Sequence, residues 1–262
     1  MKKQQLKYLM YATLLDAYGD FRNSDKIYSE YWGYNDNPPF SEEEFHEKQR
    51  LSLIDRINRV PMKWEDSEKA DRGTAFNALI DCLIKGVKDE SLNITTIGEN
   101  NPHYQATFNN RTFAFPKQIC KEFYEYFKGA ISHVYTEAIL PTQYGDVLLY
   151  GYIDELLPAS VHDIKTTGSY QAGKFKNAWQ KIVYPYCLNA EGNKVYDFEY
   201  NILLINSRAS GDTYETFTEY YNYVPDTDIP RLTAHVEGLI EFIEAHRDLI
   251  TDSKIFNRHE GN

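Results

Sequence analysis

The stretch Gly151–Gly168, "GYIDELLPASVHDIKTTG", decides how the chain is read. It alternates like a β-hairpin around "LPAS", yet it carries Asp154, Asp163 and Lys165. Aspartate and lysine are depleted in strands, and neither is cheap to bury without a partner. Residues two apart on a strand face the same side, so Asp163 and Lys165 share a face while His162 and Ile164 point the other way. A hairpin symmetric about Pro158 and Ala159 sets Asp154 directly across from Asp163, with β-carbons about 5 Å apart. Two carboxylates that close repel unless a proton or a cation lies between them. A hard divalent ion with oxygen ligands suits that position.

A neighbouring hairpin extends the pattern. A turn centred on Tyr144 and Gly145 pairs Glu137 with Tyr152, which puts Glu137 on the face of Asp154. Three acids and a lysine then converge, a set that can hold Mg²⁺ and a phosphate. A slip of one residue in either register would send these groups to opposite faces. The alternative is a solvent-facing polar side of an antiparallel sheet, with Lys165 in surface salt bridges.

The rest of the chain supplies the frame. Its 262 residues suit one large domain or two small ones, and 42% hydrophobic with 26% charged residues is ordinary globular composition. "SEEEFHEKQRLSLIDRINRVP" (41–61) opens with a Ser41/Glu44 capping box and reads as a helix. "EDSEKADRGTAFNALIDCLIKG" (65–86) has Phe76, Leu79, Ile80, Leu83 and Ile84 at helical spacing. Residues 2–17 read as an amphipathic helix and 19–40 as loop. Residues 103–116 form a hairpin around Asn109 and Asn110, and 116–130 a helix. Strands are expected at about 133–141, 147–156 and 160–166, and a helix at about 170–188 that Pro185 ends or kinks. Two strands (197–208 and 213–224) and a helix (229–250) follow. This order predicts an α/β or α+β fold with a mixed central sheet flanked by helices. The expected organisation is a helical N-terminal addition (1–65) and a core (66–262) with an insertion at about 90–130.

Composition narrows the function classes. The net charge of −11 argues against non-specific nucleic-acid binding over the whole surface. A local patch or a bound cation can reverse that sign at one site. No acid occurs between Ile164 and Val183, where Lys165, Lys174, Lys176 and Lys181 cluster. Tyrosine is common at 22 copies, which fits many half-buried positions or a surface that stacks bases. The three cysteines are far apart with no C-x-x-C pair, so neither zinc nor an iron–sulfur cluster is expected. The seven histidines form no spaced set. No signal-peptide pattern and no apolar run of about 18 residues appear, so a cytoplasmic protein with no membrane span is expected.

These residues resemble the PD-(D/E)XK nuclease superfamily, and within it the RecB-like branch of recombination nucleases and phage exonucleases. "GYID" followed by "DIKTT" is similar to its metal-site motif. Gln180-x-x-x-Tyr184 matches the branch's motif on the following helix, and Glu137 in "YTEAIL" its upstream acid. The resemblance covers about residues 70–205. It implies a restriction-endonuclease-like core and a Mg²⁺- or Mn²⁺-dependent DNA nuclease, by motif order an exonuclease. Asp154, Asp163 and the Ile164 carbonyl would bind the ion, Glu137 would bind or orient its water, and Lys165 would position the nucleophile. Gln180, Tyr184 and the lysines 174, 176 and 181 would contact DNA. A homo-oligomer, or a phage or recombination protein partner, is compatible with the family. One departure stands out: where the branch carries Gly-x-x-x-His, this chain has Gly73 and Asn77. An amide oxygen can still coordinate Mg²⁺ or hold its water. A nuclease-fold protein that binds nucleic acid or assembles without cutting is the other reading.

Overall fold

A computed structural model describes residues 6–87, 89–209 and 211–256. The first half contains β1 (Leu6–Tyr11), α1 (Ala12–Arg22), α2 (Ser24–Trp32), α3 (Glu42–Ile57), α4 (Glu68–Lys85), β2 (Thr95–Ile97), β3 (His103–Phe108), β4 (Arg111–Pro116) and α5 (Lys117–Phe127). The second half contains β5 (Ile131–Thr142), β6 (Gly145–Leu157), β7 (Ser160–Thr167), α6 (Gln180–Ala190), β8 (Asp197–Asn206), β9 (Thr213–Asn222) and α7 (Pro225–Ala245). The main sheet runs β1-β6-β7-β8-β9, with β5 also paired to β6. β1 with β6 and β7 with β8 are parallel, and the remaining pairs are antiparallel. The fold is therefore mixed α/β, a central mixed sheet flanked by helices, as the pattern of elements implies. Among the described residues no helix is long and apolar enough to cross a membrane.

Two apolar clusters cover the sheet. One joins Met10, Leu14 and Ile57 of the N-terminal segment to Leu149 of β6, Val183 of α6 and Ile240 of α7. The other joins Phe76 and Ile80 of α4 to Phe115, Phe127, Ile164 and Leu203. β8 lies between them and is buried along almost its whole length, as a strand covered on both faces must be.

Several expectations are corrected. The described part of the 2–17 segment begins as a strand, and residues 2–5 lie outside the described residues. "LKYLMY" is a short apolar run that fits either period, and pairing with β6 decides it. The segment before residue 65 is thus built into the sheet and its core rather than only helical. Within the expected loop 19–40, α2 forms around Tyr28 and Trp32, whose rings meet Phe45 of α3. Only Ser24 of α2 is buried, so no apolar stripe announces the helix. The helix expected over 170–188 starts at Gln180, and Pro185 neither ends it nor prevents its reaching Ala190. Residues 90–130 hold the separate sheet β2-β3-β4 and α5, which pack on α4 through Phe76, Phe115 and Phe123.

Register is what positions the chemistry. β6 and β7 pair Leu157 with Ser160, Leu156 with Val161 and Glu155 with His162, the expected register, and their ladder stops one pair short of Asp154 and Asp163. β5 and β6 pair Thr142 with Gly145 and Glu137 with Tyr150, two residues from the expected partner Tyr152. The turn is one residue earlier than expected, because Gly145, with φ of 117°, opens β6 instead of sitting in the turn. On its second edge β6 pairs with β1 over residues 146–150 and with β7 over residues 155–157. Gly151–Asp154 lie between, at a fork where β1 turns away into α1 and β7 departs toward β8.

Candidate active site

At the fork a side chain replaces the missing ladder bond. Asp154 Oδ2 accepts from the Ile164 backbone N–H at 2.9 Å and from Asn77 Nδ2 at 3.2 Å. Asn77 Nδ2 also lies 3.5 Å from the Ile164 carbonyl oxygen. Asn77 reaches this point because α4 crosses close to β7. One turn earlier, a β-carbon at Gly73 would lie 2.9 Å from Thr166 Oγ1, so even alanine there would force a shift.

Across the fork, Asp163 is buried at 2% exposure. Its Oδ1 accepts from Gln180 Nε2, and Gln180 Oε1 accepts from Lys165 Nζ at 2.8 Å. Lys165 Nζ lies 2.7 Å from Asp163 Oδ2. That contact is an ion pair without hydrogen-bond alignment, since Asp163 Oδ2 has no aligned donor among the described residues. Gln180 Nε2 also donates to Tyr184 Oη at 3.3 Å. The Tyr184 ring fills the space where Gly151 would carry a β-carbon, so a side chain at residue 151 would collide with it. Helix α6 therefore closes the site from one side with its first turn.

Burial sets the charge states. The Asp154 carboxyl is pushed up to about 7, first by burial and then by the Asp163 charge, against the pull of Lys165 and the Ile164 N–H. Burial alone would lower the Lys165 ammonium, but Asp163, Asp154 and Asp16 outweigh it and hold it above the ordinary lysine value. Asp16, on α1, accepts from the Trp179 backbone N–H at 2.8 Å and is itself pushed up to about 6 by burial.

Of the buried acceptors without an aligned donor, Asp163 Oδ2 is met by the Lys165 ammonium, whereas Asn77 Oδ1 at the fork and Glu155 Oε1 beside it are met by none among the described residues. An unpartnered buried oxygen is costly and calls for an explanation. Asn77 turns its Nδ2 toward Asp154 and the Ile164 carbonyl. With the amide turned over, its oxygen would join Asp154, Asp163 and the Ile164 carbonyl in an all-oxygen donor set, the type that Mg²⁺ and Mn²⁺ take. Among the described residues no group of three or more His, Cys, Asp or Glu side chains is placed to hold a metal. The set here is two carboxylates completed by an amide and a backbone carbonyl, and it fits a hard divalent cation on the chemistry of its donors.

Other expected site residues lie elsewhere. Glu137 is exposed, accepts from Tyr135 Oη at 2.5 Å, and stands opposite Tyr150 rather than beside Asp154. Gln180 and Tyr184 are buried at 6% exposure each, with their polar atoms bonded inside the site rather than presented to a groove. The expected basic helix is a run of turns. Within it Lys174 Nζ donates to Thr167 Oγ1 at 2.6 Å and to the Ser169 carbonyl at 2.7 Å. Lys176 is exposed. Lys181 is buried, bonds the Lys176 carbonyl and lies 4.3 Å over the Tyr221 ring. Burial and then Arg231 push its ammonium down to about 8, so it anchors the turn rather than facing solvent.

Three groups at or near the fork are not signalled by the sequence motifs. Asp16 arrives from a segment that reads as separate from the core. Asp81 of α4 forms an ion pair with His133, which adopts a left-handed φ of 57° within β5. Beside them the Glu155 carboxyl, fully buried, is pushed up to about 8 by burial and then by Asp81. The four-residue spacing from Asn77 to Asp81 puts both on one helix face, which is the one available signal. His162 is packed, bonded to Ser160 and Asn201.

No family model matches the chain, and no curated protein matches it. Among solved structures, the one reported as "Crystal structure of SSO0001" is similar over 97% of this chain and 81% of that chain, at 13% identity and a TM-score of 0.44. A likeness at that level supports no inference about function.

Proposed function

We propose that the chain is a metal-dependent nuclease that hydrolyses phosphodiester bonds in DNA, an exonuclease serving recombination, repair or phage DNA processing in the cytoplasm. The observation that carries this reading is the meeting of Asp154, Asp163 and Lys165 at the fork, beside the donorless oxygen of Asn77. A structural salt bridge needs neither the second aspartate nor an amide oxygen left without a donor. A bound Mg²⁺ or Mn²⁺ would polarise the phosphate and make a water more acidic. Asp154, Asp163 and the Ile164 carbonyl would hold it, joined by Asn77 Oδ1 once the amide turns over from its bond to Asp154.

The protein's own groups divide the remaining work. Lys165 keeps its proton because three carboxylates surround it, so it acts as a fixed cation toward the phosphate oxygens and not as a base. Gln180 clamps Lys165 and Asp163 in one geometry. A cation at Asp154 would favour the carboxylate form that burial otherwise opposes.

The second reading, a nuclease-fold module that binds without cutting, is favoured by one observation. Asn77 stands where the resembling branch has histidine, and its Nδ2 is engaged by Asp154. Linear single- and double-stranded DNA incubated with Mg²⁺ or Mn²⁺ separates the two. The nuclease reading expects degradation by the wild type that Asp163→Ala and Lys165→Ala lose. Equal degradation by all three proteins sinks it, and binding without turnover favours the module.

A further inference from the structure

The 22 tyrosines are not explained by the metal site. Four of them form a row beside it. On the β5–β6 hairpin the rings of Tyr135 and Tyr152 are 5.2 Å apart, and those of Tyr135 and Tyr150 6.5 Å. Tyr11, the last residue of β1, continues the row at 5.8 Å from Tyr150. Tyr152 is 59% exposed and Tyr135 46%, although a tyrosine ring carries much apolar area. A cleft of about 560 Å³ opens here, and its wall includes Tyr11, Tyr150, Tyr152, Tyr184, Arg56 and Arg59. Its wall also includes Gly151 of the fork, and the Tyr184 hydroxyl accepts from Gln180 of the site. The cleft therefore joins the aromatic surface to the edge of the fork at Gly151.

Its basic groups are Arg56 and Arg59. Arg59 lies 5.4 Å over the Tyr11 ring, donates to Tyr150 Oη at 3.1 Å, and is ion-paired with Asp252 at 2.8 Å. Arg59 thus stiffens the row. Arg56 is exposed and, among the described residues, has no carboxylate in ion-pair range. The acid on the row itself, Glu137, is bonded by Tyr135.

We infer that this tyrosine–arginine cleft binds single-stranded nucleic acid and leads the strand to the fork. Rings flanked by arginine are the chemistry of base stacking combined with backbone attraction. In a duplex the bases stack on one another and their faces are closed to side chains, whereas a single strand offers every face. The inference rests on the nuclease reading for where the strand leads, but binding measured without metal tests the cleft alone.

The test is fluorescence anisotropy in EDTA with labelled single-stranded DNA, single-stranded RNA and a DNA duplex of the same sequence. The full chain is expected to bind a single strand, of DNA or of RNA, about 10-fold or more tighter than duplex. Tyr152→Ala is expected to weaken that binding about 5- to 150-fold. Tyr152→Phe, which keeps the ring, is expected to stay within about two-fold of wild type. Arg56→Ala is expected to reduce the log–log salt slope by about 0.7. Melting curves check that each variant folds. Duplex bound as tightly as single strand, or Tyr152→Ala binding like wild type, would overturn the inference. Single-strand binding without any metal-dependent cleavage would leave the cleft standing and remove the nuclease reading instead.

Discussion

Strand β6 serves two hairpins with different outcomes. Toward β7 its Asp154 is enclosed, bonded by a backbone N–H and an amide, and shifted to about 7. Toward β5 its partner acid Glu137 is exposed and accepts from a tyrosine hydroxyl. Both acids are strand residues in an alternating pattern, and the two-residue difference in register keeps Glu137 on its face. It moves Glu137 about 7 Å along the strand, which is enough to leave the site. The lesson is that shared facing is necessary for a site and does not suffice. The fork, where β6 has lost one partner and not yet gained the next, separates a tuned carboxylate from a wet one.

If the comparison is right, its largest consequence is catalytic. Lys165→Ala or Asp163→Asn is expected to lower DNA cleavage at least about 100-fold, read as kcat/KM on linear DNA. Activity within a few-fold of wild type would break the comparison at its dry end. Next, Asn77→Ala removes the donorless oxygen and is expected to weaken Mn²⁺ binding about 10- to 100-fold by titration calorimetry. Unchanged affinity would mean that Asn77 only braces Asp154.

A stability effect should follow at the hinge between the two hairpins. Gly151→Ala pushes a methyl into the Tyr184 ring and is expected to cost about 1–3 kcal/mol in denaturant unfolding. At Tyr152, exposed one residue away, alanine should leave stability within about 0.5 kcal/mol.

The pH dependence is a finer test of the same contrast. Asp154 rises from 3.8 to about 7 and Glu155 from 4.5 to about 8 on folding, chiefly through burial. The folded state then binds more protons than the unfolded state between those values. The contribution of these two carboxyls to metal-free stability is therefore largest at the acid end of the window and falls away as pH rises toward about 7 and about 8, while His235, lowered to about 4 by burial, gives the opposite slope below its ordinary value. Mn²⁺ should offset that fall, because it favours the charged carboxylates. Melting temperatures of wild type and Asp154→Asn across the window, with and without Mn²⁺, check it, and a metal-free wild-type-minus-variant difference that rises with pH there would contradict it. The smallest effect is at the wet hairpin: Glu137→Gln should leave kcat/KM within about two-fold. A large loss would return Glu137 to the chemistry.

Much of the fold is legible in the sequence. The capping box at Ser41, the helical spacing around Phe76 and the β6–β7 register all follow from local patterns that tertiary contacts reinforce. The carboxylate pair and Lys165 are readable because strand period and turn length set them together. Other features depend on partners distant in sequence. "LKYLMY" becomes a strand only because the edge of β6 is free to accept it. The β5–β6 register turns on whether Gly145 belongs to the turn or to the strand. The resemblance implies DNA contacts at Gln180 and Tyr184, while their helical spacing shows only a shared face and not what covers it. The tyrosine row needs three strands side by side, and composition alone leaves it between core packing and base stacking.

The most direct measurement is an anomalous difference map from a crystal soaked in Mn²⁺. A single strong peak bounded by Asp154, Asp163 and the Ile164 carbonyl, with Asn77 Oδ1 in or next to its ligand shell, is the expected result. No peak at the fork, or a peak beside Glu137 instead, would contradict the assignment of the fork as a metal site.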